Sequence, residues 1–215
     1  MSLRINEIFY SIQGESLYAG LPCVFIRLTG CNLRCAYCDT RYAYEEGMDM
    51  TTPEILSRIE SYPASTLVEI TGGEPLFQEE TPDLVKQLLD QGRTVLMETN
   101  GSLDISRIDS RCIRIMDIKC PSSRMHAHND PDNLRRIGPH DQIKFIIETP
   151  SDYVYALNIL KQLPPDFPRS SVLFSPASGS LSPSLLAKWM LQDGLGIRLH
   201  LQLHKLIWPN TERGV

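Results

Sequence analysis

The chain has 215 residues, enough for one domain with a substantial core, and its 42% hydrophobic and 22% charged content is that of an ordinary soluble globular protein. A formal net charge of -5 argues against a broad electrostatic footprint for nucleic acid, and no stretch approaches the apolar length that spans a bilayer. Met1-Ser-Leu-Arg-Ile5 has no apolar signal core, so a cytoplasmic protein with reduced thiols is expected.

The first core strand is expected at Cys23–Leu28. A cysteine run follows at once, Cys31-Asn-Leu-Arg-Cys35-Ala-Tyr37-Cys38, with no fourth cysteine nearby. Thr52–Ile59 reads as a helix with a cap and a proline in its first turn. Thr66–Thr71 reads as a strand, Thr81–Leu89 as a capped amphipathic helix, and Thr94–Glu98, Cys112–Met116, Gln142–Ile147 and Ser171–Phe174 as four more strands. Ser151–Gln162 and Pro183–Gln192 are expected to be helical, and Ile197–Leu203 alternates like a strand with one wetter face. Neither repeats nor low-complexity tracts occur, and Leu163–Pro168 is too short to separate domains, so residues 1–215 are expected to form one domain. Cys23 and Cys112 lie in apolar stretches and read as small core residues.

Strands alternating with helices predict an α/β fold. About six core parallel strands and about three main helices make an incomplete TIM-type barrel, with its chemistry at the carboxyl ends of the strands. The residues just past those ends fit that expectation: Thr29-Gly30 and the cysteine run, Thr71-Gly-Gly73-Glu74-Pro75, Glu98-Thr-Asn100-Gly101, Asp117-Ile-Lys119-Cys-Pro-Ser122, and Ser175-Pro-Ala-Ser178. Each alone is an ordinary turn composition; their shared rim beside three thiols points to a site. Three thiolates on one loop hold three irons of a 4Fe–4S cluster and leave the fourth open, or form a zinc site completed by a distant ligand. His126-Ala-His128 lies in a polar Asn/Asp/Pro-rich loop and reads as solvated.

The spacing Cys31-x-x-x-Cys35-x-Tyr37-Cys38 and the segment Thr71-Gly-Gly-Glu-Pro75 resemble the radical S-adenosylmethionine (SAM) superfamily. Phe9-Tyr-Ser-Ile12-Gln13-Gly14-Glu15-Ser16, Cys38-Asp39-Thr40, Glu98-Thr-Asn100-Gly, Asp117-Ile-Lys119-Cys-Pro-Ser122-Ser and Gln202-Leu-His204-Lys205 resemble, within it, the 7-carboxy-7-deazaguanine synthase family of queuosine biosynthesis.

The resemblance implies a radical SAM fold with Cys31, Cys35 and Cys38 ligating a 4Fe–4S cluster, whose open iron binds SAM and cleaves it by one electron to a 5′-deoxyadenosyl radical. Tyr37, Gly73, Glu74, Glu98, Asn100, Lys119, Ser122 and Ser175 would contact SAM, with Gly73 letting the backbone approach the ligand and Glu74 accepting from its ammonium. The implied substrate is 6-carboxy-5,6,7,8-tetrahydropterin, met by Ile12, Gln13, Gly14, Glu15, Arg27, Thr71 and His204. Arg27 sits within a core strand, where its charge demands a partner and its fork suits a carboxylate. Thr40 would touch Mg²⁺, with Asp39 acting through water. Ring contraction with loss of ammonia, a flavodoxin or ferredoxin as electron donor, and a homodimer complete the implied picture.

The chain has the short loop between its first two cysteines, where some family members carry an insertion. It also runs on past Trp208-Pro209, so the closing role of the terminal carboxylate in shorter members is not carried over. Two other readings stay open on sequence: an activase for a glycyl-radical enzyme, and a non-catalytic zinc module.

Overall fold

The computed structural model describes residues 2–63 and 66–215. The chain runs β1 (Ser2–Ile12), β2 (Pro22–Leu28), β3 (Met48–Thr51), α1 (Thr52–Glu60), β4 (Leu67–Gly72), α2 (Thr81–Asp90), β5 (Thr94–Thr99), β6 (Ile113–Asp117), α3 (Asn133–Arg136), β7 (Gln142–Ile147), α4 (Pro150–Leu160), β8 (Val172–Pro176), α5 (Pro183–Asp193), β9 (Arg198–Leu199) and α6 (Leu203–Ile207). One nine-stranded sheet joins them in the order β3-β1-β2-β4-β5-β6-β7-β8-β9. From β2 through β9 every neighbouring pair is parallel, while β1 pairs antiparallel with both β2 and β3. The expected six parallel core strands are β2 and β4–β8, and four helices of 9 to 11 residues (α1, α2, α4, α5) accompany them.

Helix starts follow the local chemistry. Thr51 and Glu54 form a reciprocal capping box at α1, and Thr149 and Asp152 do the same at α4; each has a proline in the first turn, where its missing N–H costs nothing. The helix-facing side of the sheet carries Val24, Ile26, Val68, Ile70, Val95 and Met97 in the main core with Leu84, Leu88 and Ile55.

Two expectations are corrected. The chain before Cys23 is an eleven-residue strand, β1, which the alternation hides: a bulge between Ile5 and Glu7 shifts the register, so Ile5 joins the helix-side core while Phe9 faces the other way. The strand expected at Ile197–Leu203 shrinks to Arg198–Leu199 at the sheet edge. Beyond it His200 turns inward to Ser175, and Leu203 starts α6 with its N–H donating to Gly14 O at 2.9 Å.

Candidate active site at the carboxyl ends of the strands

Strand register separates the concave face of the sheet into two layers. Nearer the strand starts, Phe9, Cys23, Phe25, Leu67, Leu96 and Ile115 form a second, small apolar cluster. Phe9 and Phe25 stack there with centroids 4.9 Å apart. Two residues further along the strands the same face turns polar. Arg27 stands opposite Thr71 and Asp117 opposite Lys144, while Glu69 sits lower, level with Phe25 and Leu96, and Glu98 is level with Ile115. The apolar plug closes the floor, and the polar layer lines a cup open toward the loops.

The cysteine loop forms one wall. Glu74 N–H donates to Gly30 O at 2.9 Å, which ties the loop after β4 to the start of the cysteine run. A Cβ on Gly73 would lie 2.2 Å from Gly30 O and 2.6 Å from Cys31 Cβ, so glycine is required there by the chain's own close approach. Gly72, at φ +134°, would meet Leu28 O in the same way. Cys31, Cys35 and Cys38 are half-buried free thiols, and burial pushes the Cys31 and Cys35 thiols up. Asn100 Nδ2 points at Cys31 Sγ (3.9 Å) and donates to Asn32 Oδ1 at 3.1 Å. Among the described residues no three or more His, Cys, Asp or Glu groups gather tightly enough to hold a single metal ion. Three thiolates on one loop instead suit a cluster, which spreads its ligands over separate irons.

The cofactor contacts expected at the rim divide in the structure. Glu74 is fully buried: Leu76 N–H and the Thr99 hydroxyl donate to Oε1, and Asn100 N–H donates to Oε2 at 2.7 Å. It braces the loops on either side of the cysteine run. Burial raises its carboxyl above the ordinary range. Ser122 N–H donates to Asp152 and its hydroxyl lies 3.4 Å from Thr149, both at the start of α4. Lys119 pairs with Asp117 at 2.8 Å, and Ser175 pairs with His200 Nδ1 at 2.8 Å.

A connected charge cluster occupies the cup. Lys144 Nζ donates to Glu15 Oε2 at 2.7 Å and to Glu98 Oε1. The Thr71 hydroxyl donates to Glu98 Oε2 at 3.2 Å, and Gln202 donates to Glu15 Oε1 at 2.8 Å. Gln13 donates to Glu69 and accepts from Glu15 N–H. Burial works against the Glu15 charge, but Lys144 holds the carboxyl well below the usual range. Glu69 is pushed up to about 8 by burial and then by its neighbours Glu98 and Glu15, so it carries a proton at neutral pH. Burial likewise raises Glu98, with Lys144 opposing.

Arg27 binds Glu7 through Nε at 2.7 Å, stacked near Phe9 and Tyr42, so the charge is paired from its side while the terminal fork makes no bond to the described residues. The C-terminal segment folds over the cup. A Cβ on Gly14 would lie 2.4 Å from His204 Nδ1, so the two backbones meet because residue 14 has no side chain. Burial lowers the His204 imidazole, and the His200 imidazole with it. Lys205 reaches Asp39 at 2.5 Å, and Thr40 donates to Asp39 at 3.0 Å. Ile12 ends β1 opposite Pro22, at the start of β2.

Three buried polar atoms around the cup, Tyr37 OH, Asp117 Oδ1 and His200 Nε2, have no partner among the described residues, and neither does Gln142 Nε2 at the start of β7. Leaving such groups unpaired costs about 1–3 kcal/mol each, so Tyr37 and Asp117 near Cys35, and His200 on the Glu15–Lys144 side, fit a polar ligand in the cup. Glu69, Lys144, Gln142 and His200 are functional candidates the sequence reading missed. For Glu69, Lys144 and Gln142 the signal is a charge or amide inside an apolar strand, the signal that singles out Arg27; His200, past the end of β9, carries no such signal. His126 and His128 are exposed, with His126 edge-on to Tyr155.

A sequence model of the radical SAM superfamily matches residues 25–163, from the first core strand to past α4. With the three cysteines on the wall of this cup, the chain belongs to that superfamily. Its relatives narrow the assignment: it is 46% identical to a 7-carboxy-7-deazaguanine synthase of Chlorobaculum tepidum (99% of this chain, 97% of the relative) and 41% identical to one of Koribacter versatilis (99% and 100%). The crystal structure of QueE from Escherichia coli matches the fold with a TM-score of 0.78 at 25% identity, covering 94% of this chain and 93% of that one. The chain belongs to the 7-carboxy-7-deazaguanine synthase family.

Proposed function

We infer that this chain carries the activity its family is named for, forming 7-carboxy-7-deazaguanine from 6-carboxy-5,6,7,8-tetrahydropterin by radical ring contraction with loss of ammonia. The observation that carries this reading is the paired arrangement of a three-thiol wall and a buried charge cluster in one cup, in a chain aligned end to end with synthases.

The donor set fits the cofactors. Cys31, Cys35 and Cys38 would hold the cluster, and Asn100 beside Cys31 Sγ supplies a hydrogen bond of the kind that tunes cluster potential. Bound there, the cluster and SAM supply a hydrogen-abstracting radical. The chain's own residues bind, orient and exclude water. Arg27 offers its free fork to the substrate carboxylate. Gln13, the backbone at Gly14, and Glu15 offer acceptors and donors to the pterin edge, and the 200–205 segment covers the ring. The orphaned Asp117 and His200 atoms await partners in the same space. A radical attacks most nearby C–H bonds, so this positioning decides which hydrogen leaves. Thr40 and Asp39 present oxygens suited to Mg²⁺, with Lys205 as the cation that Asp39 would release. A flavodoxin or ferredoxin as reductant and a homodimeric assembly belong to the same reading.

The test is reductive SAM cleavage by anaerobically reconstituted protein, alone and with the pterin. Cleavage stimulated by the pterin, with no partner protein present, supports the synthase. Cleavage indifferent to the pterin but dependent on an added protein would make the chain an activase.

A further inference from the structure

Lys144 is nearly fully buried in the middle of β7, on the concave face. Its ammonium bonds two carboxylates that arrive from opposite sides of the cup. Glu15 comes from the loop after β1 and also takes Gln202 from the C-terminal segment. Glu98 comes from the end of β5 and also takes the Thr71 hydroxyl beside the Gly72-Gly73 turn. One cation therefore stands between the pterin-side group and the SAM-side group of the reading above, on which this step rests.

We propose that Lys144 is a positioning residue that couples the two halves of the site, so that binding of substrate and binding of SAM reinforce one another through Glu15 and Glu98. Among the described residues no other lysine or arginine pairs with Glu15 or Glu98. Glu15, Glu69 and Glu98 share the cup, and Lys144 is the cation that bridges two of them. Burial opposes its charge, yet the two carboxylates hold the ammonium well above its ordinary value, so it stays charged through neutral pH. Without it, Glu15 and Glu98 repel each other in a desolvated space, and each relaxes independently toward solvent. A ligand that orders Glu98 against Lys144 thereby lowers the cost of ordering Glu15, and the reverse holds by linkage.

The experiment titrates the cluster-reconstituted full chain with S-adenosylhomocysteine, which is not cleaved, and with 6-carboxytetrahydropterin, each in the absence and presence of the other. In the wild type each ligand tightens the other by the same factor. Lys144→Gln weakens both ligands by roughly tenfold or more and brings the mutual factor toward one, while Lys144→Arg, which keeps the charge, retains much of it. Under turnover, Lys144→Gln also releases more 5′-deoxyadenosine per product, because substrate and radical source lose their registry; a purely structural lysine would leave that ratio unchanged. A Lys144→Gln protein that keeps the mutual factor, or loses affinity for one ligand alone, overturns the proposal. Should that variant fail to fold, Glu98→Gln decides: weakened pterin binding from a change on the SAM side supports coupling, and unchanged pterin affinity refutes it. If the wild type binds S-adenosylhomocysteine but not the pterin, the substrate assignment itself falls, and the coupling proposal with it.

Discussion

Replacing Glu69 by glutamine removes a cup carboxyl whose protonated form the fold favours. Its folded value rises from 4.5 to about 8, chiefly because burial disfavours the charge and then because Glu98 and Glu15 stand nearby. At about 1.4 kcal/mol per tenfold, ionising Glu69 inside the protein costs on the order of 5 kcal/mol. The sign follows from the folded value lying above the unfolded one. The contribution is fully present below the unfolded value of 4.5, declines as pH rises, and is gone once pH passes about 8. Glutamine keeps the shape and can still accept from Gln13, but it has no proton to lose. Between pH 6 and pH 8.5 the wild type should therefore lose on the order of 3 kcal/mol more stability than Glu69→Gln, about 6–12 °C in Tm for a chain of this size. Thermal melts of the two proteins across that range measure the difference directly, since every other titrating group is common to both. Parallel curves would refute the protonated assignment and return Glu69 to the ionised state.

Other perturbations probe the remaining walls of the cup. Cys35→Ala should leave the fold near its wild-type Tm but abolish the visible absorption of the reconstituted cluster; a full complement of about four irons would remove Cys35 from the ligands. Arg27→Lys substitutes a point charge for the free fork and should raise the KM for the pterin about tenfold with little change in SAM binding, so an unaltered KM would take Arg27 out of the site. Gly73→Ala drives a methyl against Gly30 O and should cost about 1–3 kcal/mol and lower iron incorporation together; unchanged Tm and iron content would show that the loop after β4 does not brace the cysteine run.

Much of this architecture was legible in the chain. Apolar runs separated by capped helices located the six parallel strands, and the polar segments after them marked the rim. What stayed hidden has physical causes. The β1 bulge reverses the facing of its side chains partway along, so a single alternation never appears. Glu69 and Lys144 lie in strands buried on both faces, where neighbours are apolar in either direction and the sequence does not say which side a polar residue takes. Only register, placing Glu69 beside Phe25 and Lys144 beside Asp117, puts them on the concave face. A glycine shows that something comes close without saying what: Gly73 admits Gly30 and Cys31 of this chain, and Gly14 admits His204. The bonds by which Glu74 braces Thr99 and Asn100 are hidden in the same way, since a carboxylate that braces loops and one that meets a cofactor leave the same letter in the sequence.

The most direct measurement is product formation. Anaerobically reconstituted protein is incubated with SAM, a reductant, Mg²⁺ and 6-carboxytetrahydropterin, and the mixture is resolved by mass. The account predicts 7-carboxy-7-deazaguanine and ammonia in equal amounts, with no second protein added. A protein that binds its cluster and cleaves SAM yet leaves the pterin intact would contradict it.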